Sequence, residues 1–94
     1  MDKIYDRAWK LIASPDRWTK GAIGRDVYGE RCGADSAYSV RWCAIGALLK
    51  VYGYALTKEA LRKLESTIDG VAKWNDAAER KHVEVVELLK ERDL

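Results

Sequence analysis

The chain has 94 residues, with four Trp, five Tyr and no Phe, and 48% of it is hydrophobic. This suits one small domain over residues 1–94 with a dense core close to its surface. The formal net charge is only +2, which lacks the strong basic bias usual in nucleic-acid binders.

The basic excess lies in residues 1–50, which hold nine basic and six acidic side chains. No segment is long and apolar enough to span a membrane. Residues 1–14 carry charges throughout and lack the apolar region of a secretory signal. Cys32 and Cys43, without an export signal, read as reduced thiols. The expected location is therefore cytoplasmic.

Residues 2–13 read as a first helix. Ile4, Ala8, Leu11 and Ile12 fall at helical spacing, with Tyr5 and Trp9 beside them. Ser14-Pro15 ends it, because a residue before proline avoids helical geometry. The same pair can open a short helical turn through Trp18, with Pro15 at its first position.

Residues 19–38 have no sustained period and hold Gly21, Gly24, Gly29 and Gly33. Residues 22–28 read as extended, and a small two-stranded ribbon around Gly29 is the one β element the pattern allows. A stretch of this length without helix is uncommon in a compact domain and is often functional.

Ser39 is the expected cap of a helix over residues 40–52, which Gly53 closes. Its inner face is expected to hold Val40, Cys43, Ala44, Ala47, Leu48 and Val51. Gly46 lies inside this helix, where glycine costs roughly 1 kcal/mol relative to alanine. With Ala44 and Ala47 it predicts close approach of another backbone or a large ring. Thr57 is the expected cap for residues 58–69, with Leu61, Leu64 and Ile68 buried and Gly70 at the end. Trp74 is expected to anchor the final helix against the small residues around Gly46. Asp76 and Glu79 fit a capping box for that helix, with Asn75 as the competing cap. Val83, Val86 and Leu89 form its buried stripe, or Val85 and Leu88 on a slightly rotated face, and the helix runs to about Arg92.

Several separated motifs resemble a family of small bacterial and phage-borne proteins of unknown function. They are the tryptophan-glycine segment 18–21, the Cys-x-x-Gly-Ala-Leu segment 43–48, Trp74-Asn75-Asp76, and the Glu-Val-x-x-Leu-Leu segment 84–89. Family members often pass from an Asp-x-x-Gly turn to the cysteine within a few residues. Here residues 30–42 intervene as an apparent insertion. The resemblance implies an all-helical or nearly all-helical fold and transfers no activity.

Three constellations carry candidate chemistry. Cys43, His82 and Asn75 have the residue types of a thiol hydrolase: a nucleophile, a base and an orienting amide. A cysteine sharing a face with Ala47 is more simply a small core residue. Arg17, Lys20, Arg25, Arg31 and Arg41, with Trp18, Tyr28, Tyr38 and Trp42 among them, form a basic-aromatic set, of which Trp18, Lys20, Arg25, Tyr28, Arg31 and Tyr38 are the expected contact residues. Such residues stack on bases and attract phosphates, but they are also the favoured anchors of protein interfaces. Asp16, Asp26, Glu30 and Asp35 interrupt the set, which favours a protein partner over nucleic acid, and a purely structural loop is a simpler reading than either. Gly46, Trp74, Asn75 and Asp76 read as structural. Two distant cysteines and one histidine fall short of a zinc ligand set, and no cofactor is implied.

The sequence therefore predicts an all-α bundle of four main helices with a glycine-rich irregular segment. Its predicted role is a non-catalytic protein-interaction module, an accessory or anti-defence inhibitor protein of a phage or mobile element. The second reading is a small cysteine-dependent hydrolase or transferase using Cys43 and His82. The third is a weak nucleic-acid binder.

Overall fold

Periodicity proposes where helices form, and competition for backbone amides decides where they start. The computed structural model of the chain describes residues 5–94. Asp2 and Ile4 of the expected first helix lie outside them. The architecture is all-α: α1 (Ala8–Leu11), a 3-10 turn (Pro15–Arg17), α2 (Ala44–Tyr52), α3 (Tyr54–Leu64), α4 (Val71–Asp76) and α5 (His82–Glu91). The expected all-α bundle is present, with five helices among the described residues where four main ones were expected. α2 is central and packs against α1, α3 and α4, while α5 packs against α1. Among the described residues there is no strand, only isolated bridges at Trp18–Trp42, Arg25–Arg31 and Arg25–Arg41.

α1 is shorter than its apolar pattern suggests. The Ala8 amide lies 2.5 Å from the Leu94 carbonyl and 3.3 Å from the Tyr52 hydroxyl, so its hydrogen bond goes to distant parts of the chain. Arg7 is accordingly extended. Ser14 is extended before Pro15, as proline requires, and Pro15 opens the 3-10 turn. The Ser14 hydroxyl pairs with the Asp16 carboxylate and caps no amide.

The start of α2 corrects the expected Ser39 cap. The amides of Val40 and Arg41 bond the Arg25 carbonyl, and that of Trp42 bonds the Arg17 carbonyl. These bonds hold residues 40–42 in bridges and defer the helix to Ala44. The Ser39 hydroxyl is turned to the carbonyls of Ala34 and Ser36. Cys43 is the cap, its Sγ accepting from the Gly46 N–H at 3.3 Å. Val40, expected on the buried face, is exposed.

Gly53, with φ of 84°, ends α2 and also starts α3. Thr57 therefore lies inside α3, not at its cap. It is buried, with its hydroxyl oxygen lacking a partner. α3 stops at Leu64, and the Glu65 carboxylate receives the Val71 N–H at the start of α4. Asp76 ends α4 and does not cap the last helix. α5 opens after Lys81, whose N–H bonds the Glu84 carboxylate at 2.8 Å. Its inner residues are Val85 and Leu89, with Val86 and Leu88 half-buried and Val83 exposed. The core joins Ile12, Leu48, Leu64, Val71, Val85 and Leu89.

Gly46 meets the expectation of close approach, by backbone. A Cβ at this position would lie 1.7 Å from the Ile23 carbonyl oxygen. The irregular segment crosses α2 at that point. Trp74 does not fill this gap. The Arg80 guanidinium lies over its ring at 3.9 Å.

Gly46→Ala should destabilise the fold by about 2 kcal/mol or more, because Ile23 must move. The roughly 1 kcal/mol gain in helix propensity is too small to offset this. Urea unfolding measures the difference, and a neutral or stabilised variant would show that the segment does not rest on α2.

Candidate interaction surface

The irregular segment is anchored from below by a buried amide. Asn75 ends up fully buried because Gly70 starts a short helix that carries it under residues 18–21. Its Oδ1 accepts from Trp18 Nε1 at 2.8 Å and from the Ala44 N–H at 3.0 Å. Its Nδ2 donates to the Thr19 carbonyl at 3.1 Å and to Asp76 Oδ1 at 2.9 Å. Both lone pairs and both N–H groups are used. Asp76 Oδ1 also accepts from the Gly21 N–H at 2.9 Å, and Lys20 Nζ donates to the Ala77 carbonyl at 2.6 Å.

Arg25 braces the segment from inside. Its guanidinium donates to Thr19 Oγ1, the Gly29 carbonyl and the Lys20 carbonyl, at 2.9–3.0 Å. Its own backbone bonds residues 40 and 41 on the return path. Asp26 Oδ1 accepts from the amides of Tyr28 and Glu30, and Gly29 takes a positive φ of 81°. This is a tight turn closed by an aspartate side chain.

The six residues expected at the surface thus divide. Trp18, Lys20 and Arg25 are internal braces. Tyr28, Arg31 and Tyr38 are exposed, with Tyr28 at 86% and Tyr38 at 77%. Val27, missed by the sequence reading, is 71% exposed. Its position beside Tyr28 at the tip of the Asp26 turn was the available signal, since turn-tip side chains point away from the body.

The thiol-hydrolase residues are committed elsewhere. Cys43 is buried with its sulfur on the Gly46 amide. Burial pushes its thiol above the ordinary range, against the opposing pull of the Gly46 and Ile45 amides. His82 Nε2 lies 2.6 Å from the Ile12 carbonyl oxygen, and its ring centroid lies 5.9 Å from that of Trp18. Asn75 and His82 therefore meet on the two aspects of one indole. Among the described residues no hydrogen bond links either of them to Cys43.

A separate groove of about 530 Å³ is lined by Tyr52, Leu56, Ala60, Leu64 and Leu94, with Arg7 and Arg92 at its edge. Arg7 is paired with Asp93 and Arg92 with Thr67. No group of three or more potential metal-ligating side chains occurs among the described residues. No helix among them is long and apolar enough to cross a membrane.

Fold and surface together define a small all-helical domain presenting a hydrogen-bonded irregular segment with exposed tyrosines. The chain belongs to DUF6197, a family of unknown function whose profile matches residues 1–91. This agrees with the resemblance to an unknown-function family. No curated protein and no solved structure matches the chain.

Asn75→Ala should cost about 3 kcal/mol, because it strands three polar groups, each worth roughly 1–3 kcal/mol when unpaired. Asp76→Ala should cost less, about 2 kcal/mol, since it leaves one Asn75 N–H unpaired while its other partner, the Gly21 amide, is exposed and can turn to water. Equal losses in urea melts would refute the ranking.

Cys32 should react with a thiol reagent on the native protein, and Cys43 only after unfolding. The raised thiol pKa also fixes a sign. Between the unfolded and folded values the native state holds the proton and the unfolded state has lost it, so stability falls as pH rises past about 8.5. Cys43→Ala should remove that part of the alkaline loss, read as the wild-type minus variant difference across pH 7–10.5.

Proposed function

We propose that this protein is a non-catalytic protein-interaction module whose contact surface is the outer side of the irregular segment between α1 and α2. The observation that carries the reading is the combination of Val27, Tyr28 and Tyr38 in solvent with a segment tied down at Thr19, Arg25 and Asp26 beneath them. Tyrosine provides large contact area with few rotatable bonds. A segment already ordered loses little further entropy on binding. The finer role is an accessory or inhibitor protein of a phage or mobile element acting by occupying a partner surface; only its phage or mobile-element setting is drawn from the family resemblance. The cysteine-dependent alternative has against it a thiol held neutral by burial and an imidazole bonded to a backbone carbonyl.

The test is affinity capture from native host lysate with three proteins. Wild type and a Tyr54→Ala control, altered at an exposed tyrosine on α3, should retain the same partner. A Tyr28→Ala/Tyr38→Ala double variant should lose it, by roughly thirty-fold for a loss of about 2 kcal/mol. An unchanged set of captured proteins across all three would overturn the reading. Arg25 is the wrong position to alter, because its loss would disorder the segment.

A further inference from the structure

We propose that Arg17, assisted by Arg41, is a preformed receptor for a carboxylate on an acidic protein surface. The inference rests on reading the neighbouring segment as a protein contact. Arg17 ends the 3-10 turn, and its guanidinium carbon lies 5.2 Å from the Tyr5 ring and 5.4 Å from the Trp42 ring. Trp42 is 3% exposed and its indole N–H bonds the Ala34 carbonyl, so one wall of this sandwich is fixed. Arg17 Nε is sealed from solvent without a partner. Among the described residues Arg17 forms no ion pair.

Arg80 shows the same arrangement completed. It lies over Trp74 at 3.9 Å, donates to the Trp74 carbonyl, and pairs with the Glu84 carboxylate at 3.2 Å. Arg17 has the aromatic neighbours and, among the described residues, no carboxylate partner. A guanidinium held beside aromatic rings keeps its terminal nitrogens able to form a bidentate pair with a carboxylate, and among the described residues those of Arg17 make no ion pair.

Arg41 stands beside it. Its Nε donates to the Asp16 carbonyl at 3.0 Å, and the Trp42 amide bonds the Arg17 carbonyl at 2.8 Å. The Asp16 carboxylate feels both arginines but turns to the Ser14 hydroxyl, which is the main reason its pKa lies below the usual carboxylate range. It is outside ion-pair distance of either guanidinium. Nucleic acid is the poorer fit. A continuous phosphate backbone would also have to pass Asp16, Asp26, Glu30 and Asp35, whereas a single acidic side chain need not.

The probe is an acetylated, amidated tetraglutamate peptide titrated at low salt against labelled protein. The Arg17 Nε–H and Trp42 indole resonances should shift saturably at roughly millimolar peptide. Arg17→Lys keeps the charge and should weaken binding about ten-fold, because ammonium cannot form the fork. Arg41→Gln, at an exposed position, should weaken it several-fold, and Arg62→Gln should leave it unchanged. Should Arg17→Lys fail to fold, Arg41→Gln decides. Three results would each overturn the inference: no shift at Arg17, wild-type binding by both Arg17→Lys and Arg41→Gln, or tighter binding of an oligothymidylate of equal charge at the same resonances. If the inference fails here while the tyrosine double variant still loses its captured partner, the interaction reading stands without it.

Discussion

The carboxamide of Asn75 has two lone pairs and two N–H groups, and the fold uses all four. They join the indole of Trp18, the first amide of α2, the carbonyl of Thr19 and the Asp76 carboxylate. Three chain segments far apart in sequence meet at this side chain. In a buried, low-dielectric site each of these bonds is strong, and a broken one leaves an unpaired group that water cannot easily reach. Asn75 is fully buried, so the arrangement is close to all-or-none. Where residues 18–21 run, and hence where the irregular segment begins, follows from it.

From that anchor the order of the segment propagates by contacts that each need a particular residue. Gly46 alone lets the Ile23 backbone lie against α2, since any Cβ would meet its carbonyl oxygen. Arg25 then ties the outgoing and returning stretches together with its side chain and its backbone. Asp26 closes the tip. A glycine-rich sequence thereby becomes a defined surface without any strand among the described residues. The bonds of Arg25 and Asp26 are made within the segment, and Val27, Tyr28 and Tyr38 are the large apolar or aromatic side chains it shows most to solvent.

What was legible in the sequence and what was not divides along the range of the hydrogen bonds. Gly53 ends α2 as expected, because positive φ is a local demand that glycine answers locally, whereas Gly70, expected to end a helix, starts α4. Gly46 was legible because glycine inside a helix is unfavourable unless something needs the space. Ser39, Thr57 and Asp76 were all misplaced as caps. Each stands just before an apolar-periodic run, but the amides that would have needed capping are engaged elsewhere or lie at a different helix start. Asn75 is the instructive case. Its chemistry, an amide oxygen capping free helix amides, was foreseen. The helix it caps is α2, thirty-one residues earlier, and no window of adjacent residues contains that pairing. The division of the basic-aromatic set has the same cause: Arg25 and Tyr28 are three residues apart, and only the tertiary bonds of Arg25 separate brace from surface.

Cys43 and Gly46 form a single device. Three residues separate a helix cap from the amide it can reach, which is the spacing of the Cys-x-x-Gly pattern. The sulfur takes the Gly46 N–H while the missing side chain of Gly46 admits Ile23. The same cap position is where many reactive cysteines gain a stabilised thiolate. Here the two influences oppose each other, and desolvation outweighs the amide donors. The buried sulfur and the seat of the irregular segment on α2 share one residue, Gly46. Freeing the Cys43 sulfur would release the Gly46 amide at the point where the Ile23 backbone rests on α2, so the state of the thiol and the seating of the irregular segment are coupled in this fold.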